Sequence, residues 1–286
     1  MTRGFTIKIF VPDGSANGLR VVEKSNWSGR GIVCPRSNYS EYKKRPDFGS
    51  TGVYILTGPS EDSDLPTVYV GEGDPLKPRL DSHFAKKDFW TRAIFFISKD
   101  ENLNKAHIQH IESRLVRLAA DAKRCVLDNG NYPSLPSLSE MDVAEAEGFL
   151  DEILLCLPIL GVSVFSKPEE VAETKKANEL LFMTGADSSA KGFEVADGFV
   201  VLKGGLARAS ETPSMHSYVG DIRRSLLVRE IFKQHGSQFV LEQDYTFNSP
   251  SQAAAVMMGR NANGRIEWKT ESGVTLKELQ ENEAEG

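Results

Sequence analysis

Five side chains between residues 54 and 112 carry the groups that phosphodiester cleavage needs. The set comprises two phenols, one guanidinium, one imidazole and one carboxylate: Tyr54, Tyr69, Arg79, His83 and Glu112. A carboxylate can hold a divalent cation, a guanidinium can balance phosphate charge, and a phenol or an imidazole can transfer a proton. The residue types therefore predict hydrolysis of a phosphodiester bond if the fold brings these groups together.

The two tyrosines lie in the middle of segments that have the composition of strands. Apolar and β-branched residues predict strands over 52–58, 67–73 and 92–99. Gly52 and Gly71 flank the tyrosines and allow another backbone or a substrate to approach the sheet closely. We therefore expect Tyr54 and Tyr69 on adjacent strands.

Two helices are predicted to carry the remaining groups. A short helix fits between residues 76 and 85, and Arg79 and His83, four residues apart, share one of its faces. A longer helix fits between residues 103 and 123. Its apolar residues follow the spacing of a single buried face: Ile108, Ile111, Leu115, Leu118 and Ala122.

Glu112 lies at the edge of this apolar face. At about 100° per residue it is displaced by about 40° from Ile108, which makes its carboxylate half-buried and directed toward the sheet. Burial of a carboxylate costs free energy unless the group is paired or binds a cation. Each of the five residues alone has an ordinary explanation in packing, solvation or ion pairing, and the prediction of a site depends on their convergence on one side of a small sheet.

The two strand segments resemble the sequence motifs of the GIY-YIG endonuclease superfamily. Gly52-Val53-Tyr54 stands where that family has GIY, and Tyr69-Val70-Gly71 stands where it has YIG. The resemblance continues at the other polar positions. Arg79 follows the second tyrosine by ten residues, His83 follows Arg79 by four, and Glu112 lies in the long helix after the third strand. The similarity spans about 80 of the 286 residues.

The resemblance implies hydrolysis of DNA with one divalent cation, Mg²⁺ or Mn²⁺. Glu112 would be the metal ligand, and Arg79 would stabilise charge on the phosphate. Tyr54 would help to deprotonate the attacking water, with His83 or Tyr69 as its partner. A phenol has an ordinary pKa of about 10, so a nearby cation and Arg79 are expected to lower the pKa of Tyr54.

Two further positions follow from the same resemblance, and one position departs from it. Gly71 is expected near the substrate phosphate, and a late asparagine is common in the family, here Asn129 or Asn131. Glu72 is the departure, because it and Asp74 place two acids near the expected phosphate. They would repel substrate, hold a second cation or point away, and the sequence leaves these alternatives open.

The predicted fold class is α+β, with four segments along the chain. Residues 1–48 form a β-rich extension, and residues 49–132 a β-β-α-β-α nuclease-like module with a three-stranded sheet. Residues 133–190 form a helical connector, with a helix capped by Ser139 that ends at Pro158 and a second helical stretch from residue 167. Residues 191–286 form a small α+β domain. Its segment SPSQAAAVMMGRNANGRIEWK resembles a domain of unknown function that is often appended to such modules.

Charge and composition limit the possible partners. Residues 1–130 hold 20 Lys and Arg against 16 Asp and Glu, a net charge of +4, whereas residues 131–286 hold 14 against 24, a net charge of −10. A module this close to neutral predicts weak intrinsic affinity for DNA. The C-terminal domain or a protein partner bound to it would then supply targeting. Three widely spaced cysteines and a longest apolar run of about 13 residues predict a cytoplasmic protein with no membrane partner.

Two other readings of the chain remain open. A nucleic-acid-binding or regulatory protein would keep the same polar residues with little or no cleavage. An unrelated α+β interaction module would use the tyrosines only for packing. Retention of every polar position of the motif favours the endonuclease.

Overall fold

The computed structural model describes residues 4–60, 65–166, 180–196 and 198–285. The contacts divide the chain into two compact units, Met1–Ser166 and Lys167–Gly286. Each unit contains one β-sheet with helices, so the predicted α+β class is confirmed. In the described part of the chain, no helix is both long and apolar enough to cross a membrane.

The first unit contains a sheet of seven strands in the order β1-β2-β3-β6-β4-β5-β7. All neighbours are antiparallel except β5 and β7, which are parallel. The strands are β1 Ile7–Phe10, β2 Arg20–Lys24, β3 Gly29–Pro35, β4 Gly52–Gly58, β5 Thr67–Gly73, β6 Arg92–Ser98 and β7 Val126–Leu127.

The prediction of a three-stranded sheet beside a separate extension is therefore wrong. Strand β3 pairs with β6 along its whole length, from Gly29 opposite Ser98 to Pro35 opposite Arg92. This pairing satisfies the backbone groups on the free side of β6 and joins residues 1–48 to the sheet. The predicted boundary after residue 48 therefore does not separate two compact units, because both segments lie in the first unit.

The described residues of this unit also form four α-helices and two 3₁₀ turns. The helices are α1 Tyr39–Tyr42, α2 Leu76–Lys86, α3 Lys105–Ala122 and α4 Glu140–Ile159, and the 3₁₀ turns are Arg36–Asn38 and Pro46–Gly49. Ser139 caps α4 as predicted, because its hydroxyl accepts a hydrogen bond from the backbone N–H of Asp142 at 3.2 Å. Pro158 does not end α4 but lies in its last turn, one residue before the helix ends at Ile159.

The sheet has a hydrophobic core on each face. Val53, Ile55 and Val70 pack with α3 and α4 on one face. Tyr54 and Leu56 pack with α1 and α2 on the opposite face. Because side chains alternate along a strand, successive residues of β4 and β5 contribute to opposite faces.

The second unit contains a sheet in the order β12-β13-β11-β9-β10-β14, with β8 paired to β9. Its strands are β8 Leu181–Gly185, β9 Ser188–Val195, β10 Gly198–Val201, β11 Leu206–Arg208, β12 Phe232–His235, β13 Gln238–Leu241 and β14 Tyr245–Phe247. Its helices are α5 Ser217–Val228, α6 Pro250–Met258, α7 Gly264–Glu267 and α8 Leu276–Glu285.

Strand β8 lies inside the range 133–190, so this segment is not helical throughout as predicted. The second predicted helical stretch falls mainly on residues 167–179, which lie outside the described residues. In the second unit, Trp268 is fully buried, and its indole N–H donates to the Pro250 carbonyl at 3.0 Å. Trp268 is therefore a core residue of the second unit.

Candidate active site

Tyr54 and His83 form the centre of the candidate site. Tyr54 lies on β4, between β5 and β6, and its side chain is fully buried. Its hydroxyl is 2.8 Å from Nε2 of His83, which α2 presents immediately after β5. Arg79 lies one turn into α2, and His83 follows one turn later. Because the connection between β5 and α2 is short, α2 places His83 over the sheet.

Tyr69 lies beside this pair. Its ring centroid is 4.7 Å from that of His83 and 6.2 Å from that of Tyr54. On its other side, Nζ of Lys87 is 4.6 Å from the Tyr69 ring centroid, a cation–π contact. The Tyr54 hydroxyl is thus within hydrogen-bond distance of His83, while Tyr69 contributes ring contacts.

Gly71 leaves room for the Tyr54 phenol. The two residues are opposite each other in the β4–β5 pairing, and a Cβ atom on Gly71 would overlap the Tyr54 hydroxyl and its ring carbon Cζ. The glycine is thus required by the packing of the tyrosine, a reason that the sequence alone does not reveal.

We expect Gly71→Ala to displace the Tyr54 phenol and break its hydrogen bond to His83. Overpacking of a close contact usually costs about 1–3 kcal/mol of unfolding free energy. The matched control is Gly49→Ala, because a Cβ atom at Gly49 has no neighbour within 4 Å. Chemical denaturation of both variants measures the difference, and equal stability of the two would contradict the close contact.

The buried surroundings keep the Tyr54 phenol protonated. Burial raises the pKa of Tyr54 well above its ordinary value, and the neighbouring Tyr69 raises it further. The charge and hydrogen bonding of Arg79 lower this pKa but do not offset burial. Arg79 alone therefore does not bring the pKa of Tyr54 below its ordinary value, and the expected effect of a cation together with Arg79 stays a prediction.

The pKa of His83 is shifted in the opposite direction, below its ordinary value. Burial, with the positive charges of Lys87 and Arg79, lowers the pKa of His83 to about 4. Its imidazole is therefore neutral at pH 7. In the tautomer with the proton on Nδ1, Nε2 can accept a hydrogen bond from the Tyr54 hydroxyl.

Glu112 is a half-buried carboxylate on α3, as its position on the helical face predicted. Burial and the negative charge of Glu72 raise its pKa to about 7, against the lowering effects of Arg79 and Lys105. Among the described residues, none forms a hydrogen bond or an ion pair with this carboxylate. A carboxylate that is desolvated and lacks a partner fits the binding of a divalent cation.

Glu72 and Asp74 have partners of their own. Lys105 Nζ lies 2.7 Å from Oε1 of Glu72, and the Glu72 side chain is only 12% exposed. The Thr51 hydroxyl donates to Oδ1 of Asp74 at 2.6 Å. Lys105 therefore neutralises the acid that the sequence left unexplained, and it is a residue near the site that sequence reasoning missed.

The predicted groups do not lie on one side of the sheet. Tyr54 and Tyr69 face α2, whereas Glu72 and Glu112 are on the side of α3. Strand β7 pairs only with Thr67 and Val68, so among the described residues the rest of β5 has no neighbouring strand on that side. Arg79, an exposed residue, lies within electrostatic range of both sets.

Asn129 occupies this edge of β5. Its Oδ1 accepts a hydrogen bond from the Val70 backbone N–H at 2.9 Å, and its Nδ2 donates to the Val70 carbonyl at 2.8 Å. The amide thus replaces the neighbouring strand at the point where β7 ends. Asn131 is exposed, whereas Asn129 is bound to β5, and the expected role of either asparagine at the substrate phosphate stays a prediction.

We expect Asn129→Ala to lower the free energy of unfolding by about 1–3 kcal/mol, because two backbone groups of β5 lose their partners. Asn131→Ala is the matched control and should leave stability within about 0.5 kcal/mol of the parent protein. Urea denaturation measures both. A smaller effect at position 129 than at position 131 would contradict the assignment.

Comparisons with known proteins bear on the second unit. Residues 181–280 match a family model described as "Domain of unknown function (DUF4357)". Searches of curated proteins and of solved structures returned no match. The family match overlaps the predicted C-terminal domain, begins at β8, and contains none of the candidate site residues.

Proposed function

We propose that this protein is a metal-dependent endonuclease that hydrolyses DNA phosphodiester bonds through a GIY-YIG-type site. The observation that carries the proposal is the hydrogen bond of 2.8 Å between Tyr54 and His83, with the half-buried Glu112 carboxylate within electrostatic range of Tyr54. The two motifs that contain Tyr54 and Tyr69 lie on paired strands, which supports the same reading.

The proton of the attacking water passes to the Tyr54 oxygen. The phenol is protonated at neutral pH, so it accepts this proton only as it donates its own to Nε2 of His83. The neutral imidazole of His83 is available as the acceptor at pH 7. The geometry therefore favours His83 over Tyr69 as the partner of Tyr54.

Arg79 and Glu112 act on the phosphate. The guanidinium of Arg79, an exposed residue, would stabilise charge on the phosphate oxygens. The Glu112 carboxylate would hold Mg²⁺ or Mn²⁺. Such a cation stabilises the charge that develops on the leaving oxygen.

Conversion of supercoiled plasmid to nicked circles tests the proposal. The protein is incubated with plasmid in Mn²⁺, in Mg²⁺ and in EDTA, together with Arg79→Ala. The control is Arg117→Ala, which removes an exposed arginine from α3. We expect nicking that requires the cation, that is lost in Arg79→Ala, and that is kept in Arg117→Ala.

The same experiment distinguishes the alternative function. Plasmid that is bound but not nicked by the unaltered protein in either cation would contradict the endonuclease. That outcome would favour a nucleic-acid-binding or regulatory protein that keeps the fold. A gel-shift assay on the same samples measures the binding.

A further inference from the structure

A second group of possible metal ligands lies between α3 and α4. His107, Asp142 and Glu145 each present one ligand atom, and these atoms all lie within 4.8 Å of one another. Protein ligands lie about 2.0–2.2 Å from Zn²⁺, so two of them can be at most about 4.4 Å apart, and these side chains need to close by only a few tenths of an ångström to share one ion. None of the three residues belongs to the site around Tyr54.

His107 is held rigidly at this position. Its side chain is almost fully buried, and its Nε2 atom is 3.2 Å from Oδ1 of Asp142. Asn104 caps α3 by accepting hydrogen bonds from the backbone N–H groups of Ala106 and His107, and its Nδ2 is 3.4 Å from the same Nε2. An imidazole nitrogen and a carboxylate oxygen at this distance require a proton or a cation between them.

The two carboxylates share a face of α4. Asp142 and Glu145 are three residues apart, a spacing that places side chains side by side on a helix. The Ser139 hydroxyl donates to Oδ2 of Asp142 at 2.6 Å, which lowers the pKa of that carboxyl and leaves Oδ1 directed at His107. Glu145 is exposed and makes no hydrogen bond or ion pair with any residue that the structure describes.

The cluster opens onto a cavity of about 320 Å³. His107 and Glu145 line it together with Trp27, Phe149 and Glu152. Glu152 is paired with Lys24 at 3.0 Å, so Glu145 is the lining carboxylate without a positive partner. The cavity provides solvent access to a fourth coordination position, which three protein ligands leave open.

We propose that His107, Asp142 and Glu145 form a binding site for a divalent transition metal, of which Zn²⁺ is the best match. One imidazole with two carboxylates is a ligand set that suits Zn²⁺ better than Mg²⁺, which prefers oxygen ligands alone. The site is independent of the proposed nuclease chemistry. On α3, His107 and Glu112 are five residues apart and therefore about 140° apart around the helix axis.

Isothermal titration of the chelator-treated full chain with ZnCl₂ tests this site. Glu112→Gln is included so that binding at the candidate active site does not contribute. In the unaltered protein we expect one Zn²⁺ ion per chain to bind at this site. We expect the same binding in Glu112→Gln. Glu145→Gln in the same background should weaken binding by about 100-fold or more, because even changes to groups behind the ligands cost about 10–100-fold.

Two controls separate ligation from folding. Asp151→Asn removes another exposed carboxylate of α4 and should leave Zn²⁺ affinity unchanged. Glu145 is exposed, so Glu145→Gln should keep the circular dichroism spectrum of the parent protein. No Zn²⁺ binding in Glu112→Gln, or equal affinity with and without Glu145→Gln, would overturn the proposal.

Discussion

Glu112→Gln is expected to reduce cation-dependent nicking by about 10³-fold or more while the protein stays folded. The amide fills the same space but carries no charge to hold a divalent cation. Stabilisation of transition-state charge by such a cation is worth several kcal/mol, and each 1.36 kcal/mol is tenfold in rate. The rate of plasmid nicking in saturating Mn²⁺ measures the loss.

Glu140→Gln is the matched control for this change, since it removes an exposed carboxylate from α4. It should nick at the parental rate. If Glu112→Gln nicks plasmid as fast as this control, Glu112 has no role in the mechanism, and this conclusion does not depend on the other residues.

The same substitution should change how stability depends on pH. The pKa of Glu112 is raised from 4.5 in the unfolded chain to about 7 in the fold, so the folded state binds more protons between these values. The contribution of Glu112 to the free energy of unfolding therefore falls as pH rises from about 4.5 to 7 and stays constant above. Glu112→Gln should lack this fall when denaturation is followed in EDTA.

Tyr54→Phe is expected to lower the nicking rate by about 10²–10⁴-fold, the usual contribution of a positioned proton-transfer group. Phenylalanine keeps the buried ring, but it removes the oxygen that lies 2.8 Å from His83. The loss of one hydrogen bond should cost only about 1 kcal/mol of stability, so the variant remains folded. Single-turnover nicking separates this effect on chemistry from an effect on DNA binding.

Tyr69→Phe is the matched control, because its ring contacts with His83 and Lys87 do not need the hydroxyl. We expect a much smaller loss of rate than in Tyr54→Phe. A larger loss at Tyr69 would transfer the role of proton acceptor to that residue.

Local sequence pattern was sufficient for the elements that carry the site. Runs of apolar and β-branched residues located β4, β5 and β6, and the spacing of apolar residues located α3 with Glu112 at the border of its buried face. These features depend on neighbouring residues in the chain, which is why periodicity reports them.

Long-range pairing was not accessible in the same way. The union of β3 with β6 joins segments about 60 residues apart, and the end of β7 at Leu127 decides which part of β5 becomes an edge. The buried side chains of His107 and His110 also escaped prediction. They lie on a second face of α3 that is covered by α4, where His110 Nε2 meets Glu147 at 2.6 Å.

The amide of Asn129 on the edge of β5 has a consequence beyond this molecule. A strand with unpaired backbone groups is a template on which a strand of another chain can add, and proteins block such templates by covering them. By occupying the N–H and carbonyl of Val70, Asn129 removes the two edge groups next to the end of β7 from pairing with a strand of a neighbouring molecule. One asparagine side chain therefore protects the sheet from aggregation at the place where the candidate site must remain open to its substrate.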